Sequence, residues 1–309
     1  MQNNTNNTIT TNATFDRLYI ICKHIASGGF GIVCQGIHKM SKTPVAIKLE
    51  KQGDIENQRT LLIHEATILN YLAEYCGESI PAVKWFGNYR GADATIFKCI
   101  VMPFYTMSCS KYFAACGGDV RTITKYICEC VSILEDIHRA FVIHRDIKPA
   151  NFMCRENRDG SYAPVLIDFG FSTFYVNAGH KHIENTPSKN ILGSPKYISL
   201  NIHEGMSGSR RDDIISLLYI WIEALGEGGV AADASFFNAT CPIISADIDD
   251  PAIAQLRQQK INIMLETNDC VPVYSQILAN VYNCGFKDAP NYADLRRDLV
   301  AVLARFECV

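Results

Sequence analysis

The run His144-Arg145-Asp146-Ile147-Lys148-Pro149-Ala150-Asn151 places a carboxylate, an ammonium and an amide within one short loop. Asp146 can accept or orient a hydroxyl proton. Lys148 can neutralise a phosphoryl group during transfer. Asn151 offers an amide oxygen and Asp168 a carboxylate, the hard donors that magnesium favours. An aspartate before Phe-Gly is common in turns, so Asp168 alone is unspecific. Its place behind the apolar strand Val165-Leu166-Ile167, downstream of the loop, makes it specific.

Phosphoryl transfer asks for positioning and charge neutralisation more than covalent chemistry. Other elements must therefore supply a phosphate-binding cation and a backbone cradle. Val45-Ala46-Ile47-Lys48-Leu49 alternates as a strand, with Ala46 and Lys48 on one face and Val45, Ile47 and Leu49 on the other. A lysine on a strand face needs a partner or a ligand. Glu65, on the helix predicted over 61–75, is the candidate partner, because a flexible ammonium is poorly preorganised without one. Taken alone, Glu65 would read as part of a solvated helix face. Ala26-Ser27-Gly28-Gly29-Phe30-Gly31 lies between two predicted strands, where glycines let backbone N–H groups approach phosphates. An ordinary hairpin turn would use Gly28-Gly29 equally well.

The 309 residues suit one large domain or two fused lobes, and 48% are apolar, enough to bury a core. A net charge of −3 gives no global support for nucleic-acid or membrane binding. The 13 cysteines form no CxxC pair and no secreted framework, so reduced, mostly buried thiols in an intracellular protein are expected. His180 and His182 have no cysteine cluster near them and read as loop histidines. No signal peptide is visible, and the apolar stretch 214–225 is too short for a membrane span and contains Glu223. It reads as a buried helix.

Residues 1–14, almost all Asn and Thr, read as a disordered tail. Strands are predicted over 18–22, 32–37, 45–49, 85–89 and 97–102, with one long helix between the third and fourth. Beyond Met102 the pattern turns helical. Ile123, Ile127, Cys130, Val131, Leu134, Ile137 and Phe141 recur at helical spacing. Further helices are predicted over 212–225, 252–265, 273–281 and 292–306. Asp213 opens the first of these and is expected to anchor the 144–151 loop by accepting backbone N–H bonds. Arg210 and Arg211 read as a surface pair or as part of that support.

In this order the motifs resemble those of the eukaryotic protein kinases over nearly all of residues 15–306, and are most similar to the casein kinase I family. The similarity rests on Val45-Ala46-Ile47-Lys48-Leu49-Glu50, on 189–203 with its triplet Ser199-Leu200-Asn201 in place of Ala-Pro-Glu, on Ser209-Arg210-Arg211-Asp212-Asp213, and on 280–284 and 289–292. The resemblance implies an α+β, two-lobed protein kinase fold. The N-lobe (15–102) would hold a five-stranded antiparallel sheet and one helix, followed by a hinge (103–107) and a mainly α-helical C-lobe (108–309). It implies ATP and Mg2+ as cofactors, with Asp146, Lys148, Lys48 and Glu65 catalytic, and Asn151 and Asp168 holding the metal. ATP would meet Ala26, Ser27, Gly28, Gly29, Phe30, Gly31, Val33, Ala46, Lys48, Met102, Pro103 and Tyr105. Ala26 stands where the family usually has its first loop glycine. Met102 would guard the back pocket, with the Pro103 carbonyl and the Tyr105 N–H pairing with adenine.

The activity implied is transfer of the ATP γ-phosphate to protein Ser/Thr hydroxyls, since a lysine at position 148 is the serine/threonine pattern. Protein substrates with acidic or phosphorylated motifs would be the partners, with Lys196 and Lys260 matching the positions of a substrate phosphate pocket; two solvated lysines is the competing reading. Residues 227–254 depart from the family, including its Leu-Pro-Trp stretch, and Ala150 replaces its usual aspartate. The remaining expectations are a monomer with no direct nucleic-acid or membrane partner, located in the cytoplasm and/or nucleus. The alternative is a pseudokinase acting as a binding scaffold, supported by Ala26 and the altered 227–254 region. A small-molecule phosphotransferase of kinase-like fold would usually lack this combined pattern.

Overall fold

The computed structural model describes residues 14–15, 17–28, 31–52, 60–188, 190–227, 248, 250–265 and 273–306. Residues 1–13 of the expected 1–14 tail lie outside them, as do Gly29, Phe30 and 228–247, whereas Thr14 is described and lies in a strand. The chain divides into two compact units, Met1–Thr106 with Ile167–Gly170, and Met107–Leu166 with Phe171–Val309. The division falls inside the expected hinge, and the segment containing Asp168 joins the first unit.

The first unit holds strands β1 (Thr14–Phe15), β2 (Tyr19–Gly28), β3 (Gly31–His38) and β4 (Pro44–Lys51), helix α1 (Leu61–Cys76), and strands β5 (Trp85–Arg90) and β6 (Ile96–Pro103). They form a six-stranded sheet in the order β1-β2-β3-β4-β6-β5, antiparallel throughout. The five expected strands are present, extended by the short β1. Alternation sorts the two faces: Tyr19, Ile21, Cys34, Val45, Ile47, Leu49, Phe97, Cys99 and Val101 pack into one core. Lys48, being one residue out of phase with Ile47 and Leu49, points its side chain to the other face. Helix α1 starts where Thr60 accepts the Ile63 N–H (3.3 Å) and Glu50 of β4 accepts the Leu62 N–H (2.9 Å). A negative side chain suits a helix N-terminus. Leu62, Ile68, Leu69 and Leu72 are buried along α1. Each contributes about 1.5–3 kcal/mol of apolar burial, and truncating Leu69 to alanine would cost about 2–5 kcal/mol.

The second unit begins with β7 (Met107–Ser108), α2 (Cys109–Ala115), α3 (Val120–Arg139) and β8 (Val142–Ile143). It continues with β9 (Phe152–Glu156), β10 (Tyr162–Leu166), β11 (Thr173–Phe174) and α4 (Leu200–His203), then α5 (Arg210–Glu227), α6 (Pro251–Leu265), α7 (Val273–Tyr282) and α8 (Tyr292–Phe306). Two small sheets, β10-β9-β7 and β11-β8, flank the 144–151 loop in sequence. Asp119 caps α3 by accepting the Thr122 N–H (2.8 Å), and Ile123, Ile127, Cys130, Val131, Leu134 and Ile137 line its buried face. Helix α5 is apolar all round from Ile214 to Ile222 apart from Ser216, and these residues are buried on every side, as a central helix must be. Trp221 donates its indole N–H to Thr124 of α3 (3.1 Å), tying the two helices together. Among the described residues no helix is long and apolar enough to cross a membrane.

Candidate active site

In the first unit the site is built around Lys48. Its Nζ donates to Glu65 Oε2 at 2.6 Å and to Asp168 Oδ1 at 2.7 Å. Burial works against the ammonium, but the charges and hydrogen bonds of Glu65 and Asp168 outweigh it and hold Lys48 above the ordinary lysine value. Burial pushes Glu65 up, while Lys48 pulls it back. At a separation of 2.6 Å in a desolvated setting the two remain an ion pair at neutral pH. Position 48 is fixed by β4 and position 65 by α1. Asp168 sits in the left-handed region at φ 67°, a conformation uncommon for a residue with a side chain.

The same unit contains the expected nucleotide residues. Val33 pairs across the sheet with Lys48, and Ala46 with Met102. Pro103 ends β6, and Tyr105 follows it. Ala26, Ser27 and Gly28 close β2 and Gly31 opens β3. Gly31 has φ 111°, and a Cβ there would stand 2.2 Å from the Leu49 carbonyl. Its glycine is required by close strand packing, whatever the turn binds. Around Gly28 a Cβ would meet nothing within 4 Å.

In the second unit Asp146 is the hub. Its Oδ2 accepts from Lys148 Nζ (2.7 Å) and Asn151 Nδ2 (3.3 Å), and its Oδ1 accepts from Ser194 Oγ (2.8 Å). Asn151 Nδ2 also donates to the Asp146 carbonyl (2.9 Å), which leaves the amide oxygen as the atom it can offer a cation. Ser194 was not singled out in the sequence, because nothing local links it to a loop nearly fifty positions upstream. Gly193, at φ 103°, allows the approach: a Cβ there would lie 2.7 Å from the Arg145 carbonyl.

The loop is anchored from α5. Asp213, buried, accepts the His144 N–H (2.7 Å) and the Arg145 N–H (2.9 Å), and pairs with His138 Nε2 (3.1 Å). Burial alone would raise the Asp213 pKa, but His138 and these donors hold it below the ordinary aspartate value. His138 in turn meets the Tyr292 hydroxyl (2.7 Å). Arg145 takes φ 67°, and its Nε donates to the Phe171 carbonyl (2.7 Å). The neighbouring Asp212 accepts from Ser199 Oγ (2.6 Å), Asn201 Nδ2 (3.0 Å) and the Ser209 N–H (2.8 Å). The triplet 199–201 is thereby fastened to α5, a role for Asp212 that the sequence reading missed. Arg210 packs on Tyr175 and Arg211 donates to the Cys284 carbonyl (2.6 Å), so both support the unit's packing.

The two cations expected to form a phosphate pocket are engaged elsewhere. Lys260 is fully buried and meets the Pro195 carbonyl (2.9 Å), the Ile198 carbonyl (2.6 Å) and His203 Nε2 (2.9 Å). Its stem extends inward from α6, so the expectation of a phosphate contact at Lys260 is corrected: the group is an internal tie beneath 195–198. Lys196 donates to Glu223 Oε1, and Tyr197 OH donates to Glu223 Oε2 (2.8 Å).

No cluster of three His, Cys, Asp or Glu side chains among the described residues could hold a metal ion unaided. Asp168 in the first unit and Asn151 in the second each carry an oxygen donor of the kind magnesium takes alongside phosphates and water.

Comparison with known proteins adds two findings. Residues 19–235 match the family described as protein kinase domain. The casein kinase I homolog RAG8 of Kluyveromyces lactis is 28% identical over 290 residues, which cover 92% of this chain and 51% of that protein. The chain thus spans about half the length of the curated relative it matches.

Proposed function

Since the chain belongs to the protein kinase family and is casein kinase I-like, we propose that it transfers the γ-phosphate of ATP to serine or threonine hydroxyls of proteins. The observation that supports this reading best is the Lys48 ammonium held between Glu65 (2.6 Å) and Asp168 (2.7 Å). A lysine fixed in this way is preorganised for the α- and β-phosphates and loses little rotamer freedom on binding them. Adenine would pair with the backbone at Pro103 and Tyr105, beside Val33, Ala46 and Met102. Magnesium, carried in with the nucleotide and held by Asp168 and Asn151, would neutralise charge on the phosphates.

The remaining work falls to the loop. Asp146 orients the acceptor hydroxyl and takes its proton. Lys148, resting on Asp146 at 2.7 Å, neutralises charge on the phosphoryl group as it moves. Ser194 fixes one carboxylate oxygen, so the other faces a constant set of donors. Every catalytic position carries a side chain able to do its part, which favours an enzyme over a pseudokinase scaffold. The expected preference for acidic or phosphorylated substrates has no support at Lys196 and Lys260, whose Nζ atoms are occupied within the protein.

The test is transfer from radiolabelled ATP to a mixed serine/threonine peptide library by the wild type, Lys48→Met and Asp168→Asn, with circular dichroism to confirm folding. Both substitutions are expected to abolish transfer with the fold intact. Transfer retained in both purified variants would refute the proposal.

A further inference from the structure

We infer that the cavity beside Lys148 is a substrate side-chain site that selects an uncharged residue flanking the acceptor hydroxyl, and that Glu223 sets this selectivity by masking Lys196. The inference rests on the kinase reading above.

The cavity measures about 420 Å³ and lies within the second unit. Its walls include Phe113, Pro149 and Ile220, together with Lys148, Tyr197 and Glu223. Lys148 places it next to Asp146, and therefore next to the residue that receives phosphate. An extended peptide advances about 3.3 Å per residue, so a close neighbour of the acceptor reaches the opening.

The charge around the cavity is what gives it a preference. Lys148 is paired with Asp146, and Lys196 with Glu223. Both Glu223 oxygens are engaged, one by the Lys196 ammonium and one by the Tyr197 hydroxyl at 2.8 Å. Lys196 also lies over the Tyr197 ring, 5.5 Å from its centroid. The formal charges of the two pairs cancel, and the remaining residues that line the cavity, Ser108 and Ser110 among them, are uncharged. A carboxylate or phosphate entering this space would lose water without gaining an unopposed cation. A basic side chain would find Glu223 already neutralised. An uncharged side chain of leucine or phenylalanine size pays neither penalty.

Glu223 lies on the buried helix α5, where a carboxylate needs a partner, and this explains why Lys196 is drawn to it rather than outward. Removing the carboxylate charge should therefore release an ammonium at the rim of the cavity, and removing the ammonium should bare a carboxylate.

The experiment compares wild type, Glu223→Gln and Lys196→Met on serine peptides in which each flanking position carries in turn leucine, aspartate, phosphoserine or arginine. The kcat/KM ratio to the leucine peptide is read within each enzyme. Wild type should favour leucine at one flanking position. At that position Glu223→Gln should shift the ratio about tenfold toward aspartate and phosphoserine, and Lys196→Met about tenfold toward arginine, as expected for gaining one charge-assisted contact. Fluorescence-polarisation binding of the same peptides, without nucleotide, should show the same shifts. Wild type preferring phosphoserine, or shifts below about twofold in both variants, would overturn the inference. If no enzyme transfers phosphate to any peptide, the kinase reading fails, and the binding ratios alone decide the selectivity of the cavity.

Discussion

Replacing Asp213 tests whether a buried carboxylate holds the 144–151 loop in its working shape. In Asp213→Ala three hydrogen bonds vanish, to the His144 N–H at 2.7 Å, the Arg145 N–H at 2.9 Å and His138 Nε2 at 3.1 Å. Hydrogen bonds to a charged group contribute about 1.5–3 kcal/mol each, but these three share one carboxylate and do not add. Removing one partner of a buried charged cluster costs about 3–5 kcal/mol. That is a large fraction of the roughly 5–15 kcal/mol that keeps a domain folded. Local strain increases the effect. Arg145 holds φ 67°, which costs an ordinary residue roughly 1–2 kcal/mol, and Asp213 pins the Arg145 amide from which that torsion starts, together with the His144 amide before it. Released, Arg145 relaxes and carries Asp146 with it. A shift of about 1 Å in a reacting group can cost about a hundredfold in rate. Asp213→Asn should fall between, since its amide keeps one acceptor and turns a donor toward the second N–H. Urea denaturation gives the stability loss, peptide phosphorylation at a temperature where the variant is folded gives the rate, and amide hydrogen exchange at His144 and Arg145 locates the opening. An alanine variant destabilised by less than about 1 kcal/mol, with transfer close to wild type, would refute this account of the loop.

Two further outcomes are expected. Ser194→Ala removes the 2.8 Å hydrogen bond to Asp146 Oδ1 and should lower kcat about tenfold with KM for ATP unchanged, with Ser194→Thr largely restoring it; steady-state kinetics showing wild-type kcat in the alanine variant would contradict the role. Stability should fall as pH drops below about 6.5, because burial and then the neighbouring Lys260 push His203 down to about 2. The unfolded chain takes up that proton below its ordinary value while the folded chain does not, so the stabilisation is complete above this pH and declines beneath it. The difference reaches about 2 kcal/mol by pH 5, with His138, also lowered by burial, acting in the same direction. Urea midpoints at the two pH values should differ more for wild type than for His203→Gln, and equal shifts would exclude His203 as a source.

Chemistry carried by adjacent positions was readable from the chain. Asp146, Lys148 and Asn151 share one loop, and their mutual hydrogen bonds span at most five positions. Lys48 was assignable to one strand face because the period of two puts Val45, Ile47 and Leu49 on the other. Helix α5 announced its burial by an apolar run over 214–225 interrupted only by Ser216 and Glu223, and the aspartate at its start announced an anchor. Residues whose role depends on a distant partner could not be read this way. Ser194 looks like any loop serine until the turn at Gly193 brings it against Asp146. Glu223 looks like a flaw in an apolar helix until Lys196 and Tyr197 are found on its two oxygens. Lys196 and Lys260 are the same residue type, yet one pairs with Glu223, a residue that lines a cavity, and the other is sealed beneath 195–198. Backbone periodicity and loop spacing are local properties written in consecutive residues. The protonation, pairing and exposure of an ionisable side chain depend on which groups desolvate and neutralise it, and those groups come together only when the chain is folded.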